Sequence, residues 1–317
     1  MADPINLRMT AREWLLILVL SLVWGLAFFL GEVALQALQP FTIVFGRVFL
    51  AAVTLYALLP FMGLRMPSSA ALWGAFLVMG ALNNAIPFSL IVWGQTAITG
   101  GLAAIIIATT PIFTVVLAHF YTQDEKLSAG RLAGVLLGLA GVTVLIAPEA
   151  LKSLGAGSLG ATVWGQIAVV GAAAMYACAG VFARRFAGQP PMVVATGQLT
   201  CSSLLILPLA LWIDQPWALP LPGAEIWWAL IGLALPGTAL AYLIYFRVLA
   251  TAGATNLLLV TLLVPASAVL LGMAILGEQL GLTDVLGMAL IALGLAAIDG
   301  RPAAAAVNLL GQQAKAR

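Results

Sequence analysis

Ten apolar stretches, each at or near the length that crosses a bilayer, follow one another along the chain with short polar links between them. They run Trp14–Gly31, Phe41–Phe61, Leu72–Val92, Ile98–His119 and Leu132–Ala147, then Val163–Phe182, Val193–Ile213, Ile226–Arg247, Ala254–Leu276 and Val285–Ile298. About 20 apolar residues span the ~30 Å hydrocarbon core as a helix, and a chain in lipid must satisfy its backbone polar groups internally. The pattern predicts an all-α integral membrane protein with ten transmembrane helices, joined mostly as antiparallel hairpins. Composition closes the alternatives. Only 8% of the 317 residues are charged and 63% are hydrophobic, against about 25% charged in a soluble domain. So few charges cannot wet a globule of this size, which excludes a soluble enzyme, a disordered chain and a nucleic-acid binder. Arg8 and Arg12 before the first stretch resemble the start of a signal peptide, but no convincing small-residue cleavage site follows, so the stretch reads as helix 1.

The basic residues predict orientation. With a cytosolic N-terminus, Arg8, Arg12, Arg65, Lys126, Arg131, Arg184, Arg185, Arg247, Arg301, Lys315 and Arg317 all fall inside, eleven of thirteen. Lys152 falls in an outer loop and Arg47 inside a span. Both termini are therefore expected in the cytosol.

The two halves resemble each other. Pro40 and Pro191 open helices 2 and 7 with the same Pro-x5-Gly spacing, to Gly46 and Gly197. Pro111 and Pro265 stand mid-helix in helices 4 and 9. Glu125-Lys126-Leu127 then leads to Gly134 and Gly141, as Glu278-Gln279-Leu280 leads to Gly287 and Gly294, with glutamate-to-glycine spacings of nine and sixteen in both. Five helices is an odd number, so the second repeat enters from the opposite face. The expected organisation is a cytosolic N-terminus (1–13), a first five-helix repeat (14–147), an outer linker (148–161), a second repeat (162–299) and a cytosolic tail (300–317). Inverted repeats around a central cavity give two half-structures able to open to either side, the architecture of alternating-access carriers.

These residues carry a resemblance. The two five-helix repeats, the mid-helix prolines and the Glu125-Lys126-Leu127 and Gly277-Glu278-Gln279-Leu280 stretches look like the drug/metabolite transporter superfamily, EamA type, over about residues 12–299. In the first repeat Asp124 stands where the second has Gly277. The resemblance implies a ten-helix fold in a bacterial-type inner membrane, a central cavity, and efflux of small metabolites, often amino acids. It fixes no substrate-site residue.

The intramembrane polar residues are few. Arg47 lies six residues into helix 2, about 9 Å deep at 1.5 Å per residue, where arginine costs roughly 2.5–3.5 kcal/mol to insert. Either its guanidinium clamps a substrate carboxylate, or it pairs with Glu32 or snorkels outward. Gln198 is its repeat partner in helix 7. Asn83 and Asn84 lie mid-depth in helix 3, ahead of Pro87, which leaves the Asn83 carbonyl without its helical donor. They serve either a polar substrate site or interhelical hydrogen bonding. Trp24, beside Gly25, stands about ten residues into helix 1, whereas the other eight tryptophans lie near helix ends or in the outer loop. It forms either a cavity wall or packed core. Tyr176, Tyr242 and Tyr245 are weaker candidates on helices 6 and 8. Pro111 and Pro265 serve as hinges or static kinks. Gly134, Gly138, Gly141, Gly287 and Gly294 read as close-packing positions, within the chain or in a homodimer.

No GxxxxGK[ST] motif occurs, so transport energy must come from gradients. Glu32, Glu278 and Asp284 sit at the outer rim, which gives proton coupling through a buried acid no support. One histidine, His119, and two cysteines in apolar runs, Cys178 and Cys201, offer no metal or haem cluster, and no cofactor is expected. A membrane-embedded enzyme lacks a nucleophile–base set, and a channel lacks a charged or carbonyl-rich filter. The reading is a secondary transporter exporting small metabolites, foremost aromatic or other neutral amino acids, with a drug or lipophilic-cation efflux carrier as the alternative.

Overall fold

The computed structural model describes residues 9–121, 129–155, 160–257, 259–277 and 279–299. Glu125-Lys126-Leu127, Glu278 and the terminal segments 1–8 and 300–317 lie outside the described residues. All regular structure among the described residues is helical. In chain order the membrane helices are α1 (Ala11–Leu35), α2 (Pro40–Leu58), α3 (Ala70–Gly94), α4 (Gly100–Tyr121), α5 (Ala129–Gly155), α6 (Ala161–Ala183), α7 (Pro191–Leu209), α8 (Ala224–Gly253), α9 (Leu259–Leu271) and α10 (Leu282–Asp299). Seven stretches are long and apolar enough to span a bilayer, and Leu132–Pro148, Leu259–Ile275 and Leu282–Ala297 are shorter apolar helices.

Local chemistry sets the boundaries. Thr10 and Glu13 form a capping box at the start of α1, the Thr10 N–H donating to Glu13 Oε2 at 2.7 Å. Pro40 and Pro191 occupy the first turns of α2 and α7, where the missing N–H costs no bond. Ser69 and Thr99 cap α3 and α4. Gly253 takes φ 80°, a conformation open to glycine, and breaks the chain between α8 and α9. Leu15, Leu18, Leu22, Val53, Leu204, Leu270 and Leu293 stand exposed on the outer surface, the inverse of a water-soluble fold and suited to lipid tails.

The packing pattern is that of two inverted repeats. Helix α2 packs on α7 and α5 on α10, pairs in which each helix meets its own counterpart. Helix α1 packs on α8 and α9, as α6 packs on α3 and α4. At α5–α10 the symmetry is visible atom by atom. A Cβ on Gly141 would lie 2.8 Å from Gly287 O, and one on Gly294 would lie 2.7 Å from Gly134 O and 2.8 Å from Gly138 N. Since Gly134 corresponds to Gly287 and Gly141 to Gly294, these contacts are reciprocal, as a two-fold axis requires. The five glycines therefore let two backbones touch within one chain.

A second symmetric feature concerns α3 and α8. Each contains one π-helical turn, Ala81–Ala85 and Leu235–Leu240, beginning eleven residues into its helix. Pro87 and Pro236 lie at these turns and cannot donate to the preceding turn. The backbone accommodates them by widening: the N–H of Ile86 reaches back to Ala81 O, and that of Ala241 to Pro236 O. Such turns insert an extra residue and are common at functional sites. Helix α4 is also interrupted, at Ala108–Thr109, and resumes at Thr110 with Pro111 in its first turn. Pro265 lies inside α9.

Candidate functional site

A cavity of about 600 Å³ lies between the two halves, lined by residues of α1–α4 and α6–α9. Its lining is mostly apolar and aromatic, with a small polar cluster at mid-depth, the usual makeup of a small-molecule site. The exposed lining residues, Gly180, Arg184, Ala187 and Pro191, all lie at the α6–α7 connection, which forms the mouth. The opposite end is closed. There Gln95, 8% exposed, donates from Nε2 to Phe28 O at 2.8 Å, the Glu32 carboxylate accepts from the N–H of Gly100, and a Cβ on Gly31 would lie 2.9 Å from Gln95 Oε1.

Arg47 points into this cavity from α2. Its Nε donates to Thr238 Oγ1 at 2.9 Å, its NH2 group to Gly237 O at 3.5 Å, and its Cζ lies 3.8 Å from the centroid of the Phe88 ring. The π turn of α8 makes this possible by turning Gly237 O and Thr238 toward α2. The Thr238 hydroxyl donates its own proton to Leu233 O at 2.9 Å. Among the described residues no carboxylate forms an ion pair with Arg47.

The amides of α3 form the other part of the cluster. Asn83 Nδ2 donates to Gln198 Oε1 at 3.3 Å and to the Tyr242 hydroxyl at 3.1 Å, and Asn84 Nδ2 donates to the same hydroxyl at 3.0 Å. Asn83 lines the cavity, whereas Asn84 is fully buried behind it, with Oδ1 unpartnered. Trp24 forms the wall on the α1 side, its ring 6.0 Å from that of Tyr245. Gly25 beside it lets α1 close onto α9, since a Cβ there would collide with Ser267 Oγ.

The structure thus brings Trp24, Arg47, Asn83, Tyr176, Gln198 and Tyr242 to one cavity and sets Asn84 behind it as a support for Tyr242. Pro265 lines the cavity; α4 contributes Ala104, Ile107, Ala108 and Thr110, and the adjacent Pro111 is not among the lining residues. Arg47 turns to Thr238 rather than to Glu32, which caps α4. His119 stands at the far end of α4, edge-on to Phe120 and away from the lining. Sequence reasoning missed Gly237, Thr238, Phe88, Phe246 and Gln95. The signal for the first two was present: a Pro-Gly pair in mid-helix at the depth where α3 carries its asparagines.

Comparison with known proteins agrees with this architecture. The chain matches the EamA-like transporter family twice, over residues 12–147 and 163–298. It is 27% identical to protein PecM of Dickeya dadantii (strain 3937) over 85% of this chain and 86% of that protein. It is 25% identical to the uncharacterized inner membrane transporter YedA of Escherichia coli (strain K12), over 86% of this chain and 85% of that one. A WAT1-related chloroplastic protein of Arabidopsis thaliana is 26% identical over 88% of this chain and 67% of its own length. A solved crystal structure shares the fold with a TM-score of 0.62 and 21% identity, over 91% of this chain and 96% of that one. With two family matches in tandem spanning most of its length, this multi-pass membrane protein belongs to the EamA-like transporter family.

Proposed function

We propose that the protein is a secondary carrier that exports small metabolites across a bacterial-type inner membrane by alternating access, gripping them by the carboxylate that amino acids share with other organic acids. One observation carries this reading: Arg47, an intramembrane guanidinium, faces a largely apolar cavity with no carboxylate paired to it among the described residues. A cation in that setting is best satisfied by an anionic group brought by the ligand, and arginine offers a planar fork that fits a carboxylate. A lipophilic cation, the other class considered from sequence, would find aromatic faces there but would add charge beside Arg47.

Two features together fit the cytosolic loading that export requires. The distribution of basic residues puts both termini and the α6–α7 connection in the cytosol, and the mouth of the cavity lies at that connection. The cavity is therefore loaded from inside in this conformation, with the Glu32–Gly100 and Gln95–Phe28 contacts closing the outer end. No Walker motif is present in the sequence, so the driving force is a gradient.

Counterflow in proteoliposomes tests the reading. Radiolabelled carboxylates of graded size should exchange faster when unlabelled substrate is present on the trans side, and Arg47→Ala should abolish the saturable component. Absence of trans acceleration for every carboxylate, or unchanged exchange in a correctly folded Arg47→Ala protein, would overturn it.

A further inference from the structure

Once their mutual hydrogen bonds are counted, the polar groups around Arg47 are mostly donors. Thr238 Oγ1 accepts from Arg47 and gives its proton to Leu233 O, so it has little left to offer a ligand. Gln198 Oε1 accepts from Asn83. The Tyr242 oxygen accepts from both Asn83 and Asn84, which occupies its lone pairs and leaves its O–H free to donate. What faces the ligand is the guanidinium and the O–H of Tyr242, with Tyr176 alongside. Beside Arg47 one neutral amide acceptor remains, Asn83 Oδ1, which makes no hydrogen bond among the described residues; the other lining amides, Gln95 and Gln189, lie at the closed end and at the α6–α7 connection. Among the described residues the lining holds no carboxylate, and Arg47 is the cation at its polar centre. Around this donor-rich end stand the rings of Trp24, Phe28, Phe88, Tyr245 and Phe246.

From this polarity we infer that the cavity selects organic monoanions with an aromatic or bulky apolar body, and discriminates against zwitterions and cations of the same skeleton. The inference rests on the carrier reading above and refines its substrate class. A carboxylate is an acceptor-only group and satisfies the donors directly. An α-ammonium would lie within two bonds of the carboxyl carbon, and so beside the guanidinium. There it meets a like charge and a single neutral acceptor, and desolvating it finds no compensation. The ring-lined remainder receives the apolar body by stacking and burial.

A matched set with one carbon skeleton isolates the charge: 3-phenylpropanoate, phenylalanine, 3-phenylpropanamide and 3-phenylpropylamine. Binding to the purified full-length protein in nanodiscs is measured by calorimetry, and counterflow of each radiolabelled compound is measured in proteoliposomes. The expected order is 3-phenylpropanoate first, tighter than phenylalanine and the neutral amide by ~10-fold or more, with no measurable binding of the amine. Arg47→Gln should erase the preference for the anion over the neutral amide, while Arg47→Lys keeps part of it. Phenylalanine or the amine binding as tightly as the anion overturns the inference, as does binding of none of the four, or a preference unchanged in Arg47→Gln. The carrier reading fails separately: anion-selective binding without counterflow would leave the site assignment standing and remove transport, whereas counterflow led by phenylalanine would keep the carrier and remove the anion preference.

Discussion

Arg47 and Thr238 are 191 residues apart in sequence and joined by a 2.9 Å hydrogen bond from Nε to Oγ1. One residue belongs to each repeat, so the bond ties the two halves together at the centre of the cavity. It also fixes the guanidinium edge-on to α8, which leaves the remainder of the fork for a ligand. Thr238 positions Arg47 without being required to touch the ligand itself.

That role predicts different outcomes for two substitutions. Thr238→Val keeps the shape but removes the acceptor, leaving an arginine N–H unpaired in the membrane interior, and carboxylate affinity should fall by about 10-fold, equivalent to ~1.4 kcal/mol. Thr238→Ser should restore most of the affinity, because the hydroxyl returns. Titration of nanodisc-embedded protein with 3-phenylpropanoate checks both. Equal affinity for the valine variant would show that Arg47 needs no orientation from α8.

Tyr242 accepts from two amides at once, 3.1 Å from Asn83 Nδ2 and 3.0 Å from Asn84 Nδ2. Tyr242→Phe removes the acceptor of Asn84 Nδ2 and one of the two acceptors of Asn83 Nδ2, which keeps Gln198, and Asn84 already carries one unpartnered oxygen. Stranding a buried donor costs about 1–3 kcal/mol. The variant should therefore lose thermal stability as well as ligand affinity, and Tyr242→Phe combined with Asn84→Leu should recover part of the stability. A melting curve in detergent reads both; full stability in the single variant would mean the amides have other partners.

At Gly141 and Gly294 the α5–α10 seam has no room for a side chain. Gly141→Leu and Gly294→Leu would each drive atoms into backbone less than 3 Å away, and overpacking of this kind costs at least 1–3 kcal/mol. Gly74, in α3, faces open space, with no atom within 4 Å of where a Cβ would stand, so Gly74→Ala should be neutral or slightly stabilising. Fluorescence-detected size-exclusion profiles of the three variants supply the comparison. Monodisperse, wild-type-like leucine variants would show that the seam is looser than it stands.

Closure of the outer end depends on Gln95 holding Phe28 O and Glu32 holding Gly100 N–H. Gln95→Leu with Glu32→Gln should raise the share of outward-open molecules several-fold, since each lost contact shifts a two-state balance by its own free energy. Ala27→Cys, placed in the lining on a background without Cys178 and Cys201, reports it. Labelling by an impermeant thiol reagent should come from the mouth side in the parent and from both sides in the double variant. One-sided labelling in both would assign closure to other contacts.

The fold was readable from sequence to an unusual degree because lipid imposes one rule, a helix per crossing, and the chain obeys it with ten apolar stretches. Equal spacings in the two halves matched Gly134 and Gly141 with Gly287 and Gly294 and marked all four as packing positions, but left open whether they meet within the chain or in a dimer; the structure brings them together within one chain. Within the site, Arg47 was conspicuous because an intramembrane charge is expensive wherever it points. Asn83 and Asn84 could not be told apart. Choosing between them needs helical phase, and the π turn at Ala81–Ala85 shifts that phase by about one residue. Thr238 escaped notice for the same reason. A threonine on a regular helix usually bonds back to its own chain, and only the widened turn of Leu235–Leu240 presents it to α2.

The unpaired guanidinium has an electrical consequence. On the proposed reading, an occupied cavity holds a cation and an anion and is neutral, whereas an empty one carries the positive charge of Arg47 alone. A voltage across the bilayer therefore acts mainly on the empty carrier, with up to ~2.3 kcal/mol per 100 mV for a charge displaced through the whole field. An inside-negative potential draws that charge toward the cytosol and favours the conformation ready to load there. Charge-displacement recordings on a supported membrane should then show current from the empty protein that saturating 3-phenylpropanoate on both sides suppresses, and an unchanged current would contradict it. The same arginine that holds the substrate would reset the machine.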